Sequence, residues 1–483
     1  GPVDGRLRVG GVVGRGVATN CYNTGSVRGS SFVGGVVGSG NTSNTYYGGN
    51  CTLDVGIGSG SGSAVKIDEP VEEWAKNKEW YSADAVNSNG NFVWNPDNPW
   101  DFENVWEFVS KDESYITNNG YPMLQGLGNS QVIYWTDEAV WSAAGKDFNN
   151  YTLSGSGGQD DPYLIQNEWD LAYLSWTIYT NNPIEASHVS TNSDGNCYYS
   201  GIYFEQTADL DLSAYYWQPI GITRLRDGTS AIRSFSGCYD GGSRTVSGVF
   251  TPAGEGDGYS FQGLFGYVYG RSSTNLATIS NVGVIDSFVQ GGIRVGGVVG
   301  SATDSAVTNC YNTGSVSGLS GDIGGVIGFA FSGTVVENCY NTGFVIGWGS
   351  NVSGVVGQAY SSGCTITNCY NTGSVDGSGT AGGVAGYIGS NNTITNCYNT
   401  GSVDGSGIAG GIVGDRYNGS IENCYNTGSV SGNNYVGGIV GGSSNSSIEA
   451  IKCYNTGPVD GGLWVRGVGG RGVATNWYNT GSV

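Results

Sequence analysis

Short apolar runs of two or three residues, each fenced by glycine or asparagine, recur along most of the chain without an apolar face of helical spacing. One such run is Gly-apolar-apolar-Gly, seen at Gly297-Val298-Val299-Gly300 and again at 325–328, 354–357, 383–386, 411–414 and 438–441. Between these lies a second string, Thr308-Asn309-Cys310-Tyr311-Asn312-Thr313-Gly314-Ser315-Val316, repeated at 338–345, 368–375, 396–403, 423–430 and 453–459. Its cysteines, Cys310, Cys339, Cys369, Cys397, Cys424 and Cys453, stand 27 to 30 residues apart. That period suits one coil of a solenoid and leaves little room for two helices with loops. β-Branched residues punctuated by glycine and asparagine also disfavour helix. Three short strands per coil are expected, one each around Gly-Val-Val-Gly, Ile-Thr-Asn-Cys-Tyr and Gly-Ser-Val-Ser-Gly. The fold class that follows is all-β: a parallel β-solenoid (β-helix) of glycine-rich coils, with short capping helices and an inserted region.

Coils stacked roughly 4.8 Å apart align equivalent side chains into columns along the axis. Val316, Val345, Val375, Val403 and Val430 are expected to form one internal aliphatic column, and Ile366, Ile394 and Ile421 another. The six cysteines should form a buried, reduced column, because parallel Cβ atoms on in-register rungs stand farther apart than the roughly 3.8 Å of a disulfide. Asn312, Asn341, Asn371, Asn399 and Asn426, each followed by Thr-Gly, read as a turn ladder, since asparagine tolerates left-handed backbone. Cys51, Cys197, Cys238 and Cys364 fall off the cysteine column, and Cys197 with Cys238 is the candidate bridge.

Composition narrows the class. Of 483 residues 87 are glycine and only 10 are proline, without a Gly-X-Y triplet, which argues against collagen. Aromatic residues at 12% supply apolar area that a disordered Gly/Ser tract lacks. Forty acidic against 19 basic residues give a net charge of −21, with no basic cluster. Nucleic acid and anionic membrane partners are therefore disfavoured. No apolar run reaches the roughly 18 to 20 residues of a membrane span. Scarce lysine beside abundant Asn, Ser, Thr, Gly and Tyr suits an extracellular, cell-surface location. Residues 457–483 repeat most of residues 1–27, which reads as a module repeated in tandem.

The candidate chemistry is thin. His188, the single histidine, lies in a polar stretch and is expected in a surface loop, with no nucleophile-elbow motif to serve it. Asp209 and Asp211 share one face of a strand by the period of two, the arrangement a polysaccharide-cleaving pair would need, and so are weighed as such. No cofactor is expected. The nearest approach to a calcium ladder is Asp376, Asp404 and Asp460, a column interrupted by Ser431. Two short helices are expected to plug solenoid ends: 160–175, begun by Asp160-Asp161-Pro162 with Leu164, Leu171 and Leu174 on one face, and 69–81.

Gly263-Leu264-Phe265-Gly266, the segments 155–174 and 203–221, and 94–106 with Gly120-Tyr121-Pro122-Met123-Leu124 together make the chain resemble the GLUG-repeat family of bacterial surface proteins. The resemblance implies an extracellular β-solenoid attached to cell surfaces or engaged in adhesion. Most coils here depart from it by carrying Val or Ile in place of Leu. It divides the chain into the end of an array (1–51), an exit or insert region with a short helix (52–150), a lead-in capping region (151–235) and a fresh array (236–483). The function expected is structural: a tandem module of an extracellular filament or stalk, with the protein itself as partner and no enzymatic activity. The alternative is an adhesin whose face, or whose Trp74, Trp80, Trp94, Trp100 and Trp106, binds glycans or host protein. A polysaccharide-active β-helix enzyme is the remoter alternative.

Overall fold

A computed structural model describes residues 133–483, apart from 193–194, 227, 253–258, 273, 444–449 and 470–477, and several short strands upstream of them. Residues 1–132 form a compact unit of their own. Within it the strands Val13–Asn23, Val37–Gly48 and Gly62–Ile67 pair in parallel. The helix expected at 69–81 and the five tryptophan side chains of the insert lie outside the described residues.

From residue 236 onward the chain is a parallel β-solenoid, and its coils carry four strand columns rather than three. In one coil the strands are Asp322–Gly324, Ile327–Phe331, Val335–Glu337 with Tyr340–Asn341, and Val345–Gly347. The Asp322–Gly324 strand had no place in the three-strand reading. It belongs to a seven-stranded column running from Val295–Gly296 to Val465–Arg466. Its side chains are too small and mixed to read as a strand alone; Ile323, Val352, Ala381 and Ala409 align only through pairing with neighbouring coils.

From Ala277 onward the coils pair in register. Val289, Val316, Val345, Val375, Val403, Val430 and Val459 succeed one another across one column. Val307, Val336, Ile366, Ile394 and Ile421 do so across another. All are buried in a single core continuous with the inner valines of the Gly-Val-Val-Gly runs. A coil therefore buries its apolar atoms only against the coils before and after it, so stability is nearest-neighbour in character.

Residues upstream of 236 cover one end of this stack. Helix α1, Glu138–Ala143, and helix α2, Glu168–Tyr179, carry the aromatic core of the cap. Phe148 stacks on Trp176 at 4.4 Å and 2°, and Trp141 lies edge-on to Trp169 at 5.2 Å. The cap thus reaches back to Ile133, upstream of the 151 boundary. Helix α2 starts later than expected. Asn167 caps it, accepting from the backbone N–H of Trp169 and Asp170, while the Asp170 carboxylate accepts from the Asn167 N–H, a capping box. Tyr163–Ile165 is instead a strand, paired in parallel with Tyr203–Gln206. That strand pairs with Cys238–Ser247, and this with Ala277–Ile285, so the cap's hydrogen bonding runs into the first coils without a break.

Candidate functional site

The repeated string places four kinds of side chain in columns, and the alternation of a strand decides which way each points. In each coil an asparagine in left-handed backbone, Asn309, Asn338, Asn368, Asn396 or Asn423 (φ between 53° and 56°), turns the chain just before the cysteine. The cysteine then faces inward, the tyrosine outward and the next asparagine inward.

Asn312, Asn341, Asn371, Asn399 and Asn426 therefore do not form the turn ladder expected of them. They are fully buried and in extended backbone. Each Nδ2 donates to the Oδ1 of the next coil's asparagine, at 2.8 Å from Asn312 to Asn341 and 2.9 Å from Asn341 to Asn371. It donates also to the carbonyl of the glycine two residues on, at 2.7 Å from Asn371 to Gly373. The first glycine of each Gly-apolar-apolar-Gly run exists to admit this amide: a Cβ on Gly354 would stand 2.1 Å from Asn371 Cγ. The turn role belongs to the preceding asparagines. These form a second, exposed ladder whose Nδ2 atoms donate the opposite way along the axis, Asn338 to Asn309 at 3.0 Å and Asn368 to Asn338 at 3.2 Å.

Cys310, Cys339, Cys369, Cys397, Cys424 and Cys453 are buried free thiols. Each Sγ lies near the carbonyl two residues back, as Cys310 does with Thr308 at 3.2 Å, and the backbone N–H of Cys339 donates to Cys369 Sγ at 3.4 Å. Burial holds the Cys339 and Cys397 thiols well above the ordinary range. Cys364, off the column, is also buried and pushed up to about 11 by desolvation. Cys197 and Cys238 are free as well, so the bridge expected between them is not made. Cys197 pairs in the sheet with Ser234, whereas Cys238 has already turned into the neighbouring sheet against Tyr203.

The feature missed in the sequence is the tyrosine stack. Tyr311, Tyr340, Tyr370, Tyr398, Tyr425 and Tyr454 lie ring on ring at 4.7 to 5.1 Å, tilted by no more than 5°. Their invariance within the repeated string was the available signal. Each ring covers its neighbour's face, so solvent meets phenol edges. This stack offers no open ring face to a sugar.

The remaining candidates are placed plainly. Asp209 Oδ1 accepts from the Thr245 N–H at 2.8 Å and Asp211 Oδ1 from the Ser213 N–H at 3.0 Å. These backbone hydrogen bonds hold both carboxyls below the usual range. Neither acid has the raised affinity for a proton that a general acid needs. Asp376 and Asp404 face each other across one rung, and Ser431 separates them from Asp460. Among the described residues no three His, Cys, Asp or Glu side chains gather as a metal would require. His188 is not an exposed loop residue. Its side chain is only 8% exposed, 3.7 Å from the Glu185 carboxylate and packed against the ring of Tyr163, and burial lowers its pKa.

A family model described as the GLUG motif matches residues 291–317. Those residues make one turn of the solenoid, from the end of the strand Phe288–Gly291 to Val316. This solenoid carries a GLUG motif. The match falls on the coil with Val298, one coil after Gly263-Leu264-Phe265-Gly266. The two strings stack directly, Phe265 N–H donating to Val298 O at 2.8 Å, so Leu and Val fill the same place in the GLUG coil. No curated protein matches the chain. Among solved structures, one named "putative immunoglobulin A1 protease" from Bacteroides ovatus is similar, at 21% identity and a TM-score of 0.43, over 67% of this chain and 86% of that one. Among the described residues no helix is long and apolar enough to cross a membrane.

Proposed function

We propose that this chain is an extracellular structural protein, a tandem module of a cell-surface filament or stalk, without enzymatic activity. The observation that carries this reading is the uninterrupted stacking of identical columns. Six coils repeat the same valine, cysteine, tyrosine and asparagine positions in one register, and a coil of the same kind extends the stack at no new cost in design. The repetition of residues 1–27 at 457–483 supports tandem use of the module. The GLUG motif and the acidic, lysine-poor surface support an exterior location. The partner is then the protein itself, and the acids carry no catalysis. Immunogold labelling of unpermeabilised cells tests this: label strung along extended surface structures is expected, and label seen only after permeabilisation contradicts it.

A further inference from the structure

One coil breaks the repeat on its outer surface. After Asn-Thr-Gly the chain reads Ser-Val-Asp-Gly-Ser at 374–378 and again at 402–406, but Phe-Val-Ile-Gly-Trp at 344–348. The valines of these strings point inward, so the residues on either side of them point outward. Phe344 is 41% exposed and Trp348 65%, with the half-buried Ile346 between them. Leu319, in the place of Trp348 on the coil before, is exposed as well. A row of large apolar side chains, set on a face whose neighbouring coils present Ser, Asp and Gln, marks an interaction surface.

What covers this row is decided by its neighbours along the axis. The central outward column runs Gln290, Ser317, Ile346, Asp376, Asp404. Two carboxylates thus lie on one side of the apolar row, and two neutral hydrogen-bonding side chains on the other. Partial desolvation and then the charge of Asp404 raise the Asp376 pKa, so the two acids already repel. Two copies of this face can be laid together, strands aligned, about a two-fold axis along the central column or about one along the apolar row. The first arrangement sets Asp376 on Asp376 and Asp404 on Asp404, and like charge opposes it. The second sets Phe344, Ile346 and Trp348 on their own counterparts, Asp376 against Ser317 and Asp404 against Gln290. Each carboxylate then meets a side chain that can donate to it. The face is complementary to a second copy of itself in that one orientation.

We propose that this face pairs two copies of the chain as a symmetric dimer whose solenoid axes run antiparallel. The contact covers five coils by three outward columns, roughly 19 Å by 14 Å. That is small for a specific interface, so a dissociation constant of about 10–100 µM is expected. The dimer needs only residues 288–406 and stands apart from the filament reading. On that reading, antiparallel axes join chains that project from facing surfaces rather than neighbours on one surface.

Sedimentation velocity of the full chain between about 1 and 300 µM tests the pairing. A concentration-dependent dimer is expected. Phe344→Ser, Ile346→Ser and Trp348→Ser together give this coil the pattern already present at 429–432, so it should fold with unchanged circular dichroism while pairing weakens by about thirtyfold or more. Ser317→Lys tests the orientation, because its ammonium meets Asp376 of the second copy when the axes are antiparallel and its own counterpart when they are parallel. About threefold tighter pairing is expected of it. No association across the concentration range, association unchanged by the triple substitution, or pairing of the Ser317→Lys variant that is no tighter overturns the proposal. Filament growth through the coil ends would persist in the triple variant, so the two readings fail separately.

Discussion

Asn341 Nδ2 donates to Asn371 Oδ1 at 2.9 Å, although 30 residues separate the two in sequence. The same bond recurs from coil to coil, so a row of side-chain amides runs inside the wall of the solenoid, fully removed from water. Replacing Asn371 by alanine leaves a donor on Asn341, an acceptor on Asn399 and the Gly373 carbonyl without their partner. The cost should be about 3 kcal/mol or more, from three orphaned groups of at least about 1 kcal/mol each. Urea denaturation of the Asn371→Ala variant measures it, against Asn368→Ala in the exposed ladder. There water replaces the lost amide, and the loss should be smaller.

Gly354→Ala tests the other partner in that contact. The new methyl would stand 2.1 Å from Asn371 Cγ and 2.4 Å from the Gly383 carbonyl, backbone that cannot yield. Overpacking of this kind costs about 1–3 kcal/mol or more. Gly145→Ala, with open space around the position but a φ of +69°, should cost less in the same assay.

The thiols predict a pH dependence. Cys364, off the column, holds its proton up to about 11 when folded because burial desolvates it. An unfolded thiol ionises near 8.5. Between these values the unfolded chain binds fewer protons than the folded one, so stability is intact below about 8.5 and falls as pH rises toward 11. Burial of Tyr340, Tyr370, Tyr398 and Tyr425 raises their phenols and adds to the loss at the upper end. Thermal melts from pH 7 to 11 should show this decline. Iodoacetamide should leave the column cysteines unmodified at pH 8 until denaturant is added.

The cap should contribute through its aromatic core. Trp141 is 1% exposed, and its indole N–H donates to the Trp135 carbonyl at 2.7 Å. Trp141→Ala removes both the ring and that bond, a loss of about 3–5 kcal/mol. Calorimetry should show the loss as a lower first transition, with the distal coils around Val403 and Val430 melting nearer their original temperature.

Much of the architecture was legible because a solenoid writes its register into its sequence. Val316 and Val345 share a column for the same reason that they share a place in the repeated string. What failed was local. Two asparagines three residues apart, Asn309 and Asn312, both suit a left-handed turn by propensity. Only the inward cysteine between them decides that the first turns and the second is buried. Asp161-Pro162 likewise has the look of a helix start, but pairing of Tyr163–Ile165 with Tyr203–Gln206 overrides it until Asn167. His188 was misjudged because its polar neighbours say nothing about the Tyr163 ring it packs on.

The central claim, that stacked coils build an extended structure, is tested most directly by electron microscopy of the purified protein in its native state. Uniform fibres with an axial repeat matching one module are the expected result. Dispersed short rods, each the length of a single array, would contradict it.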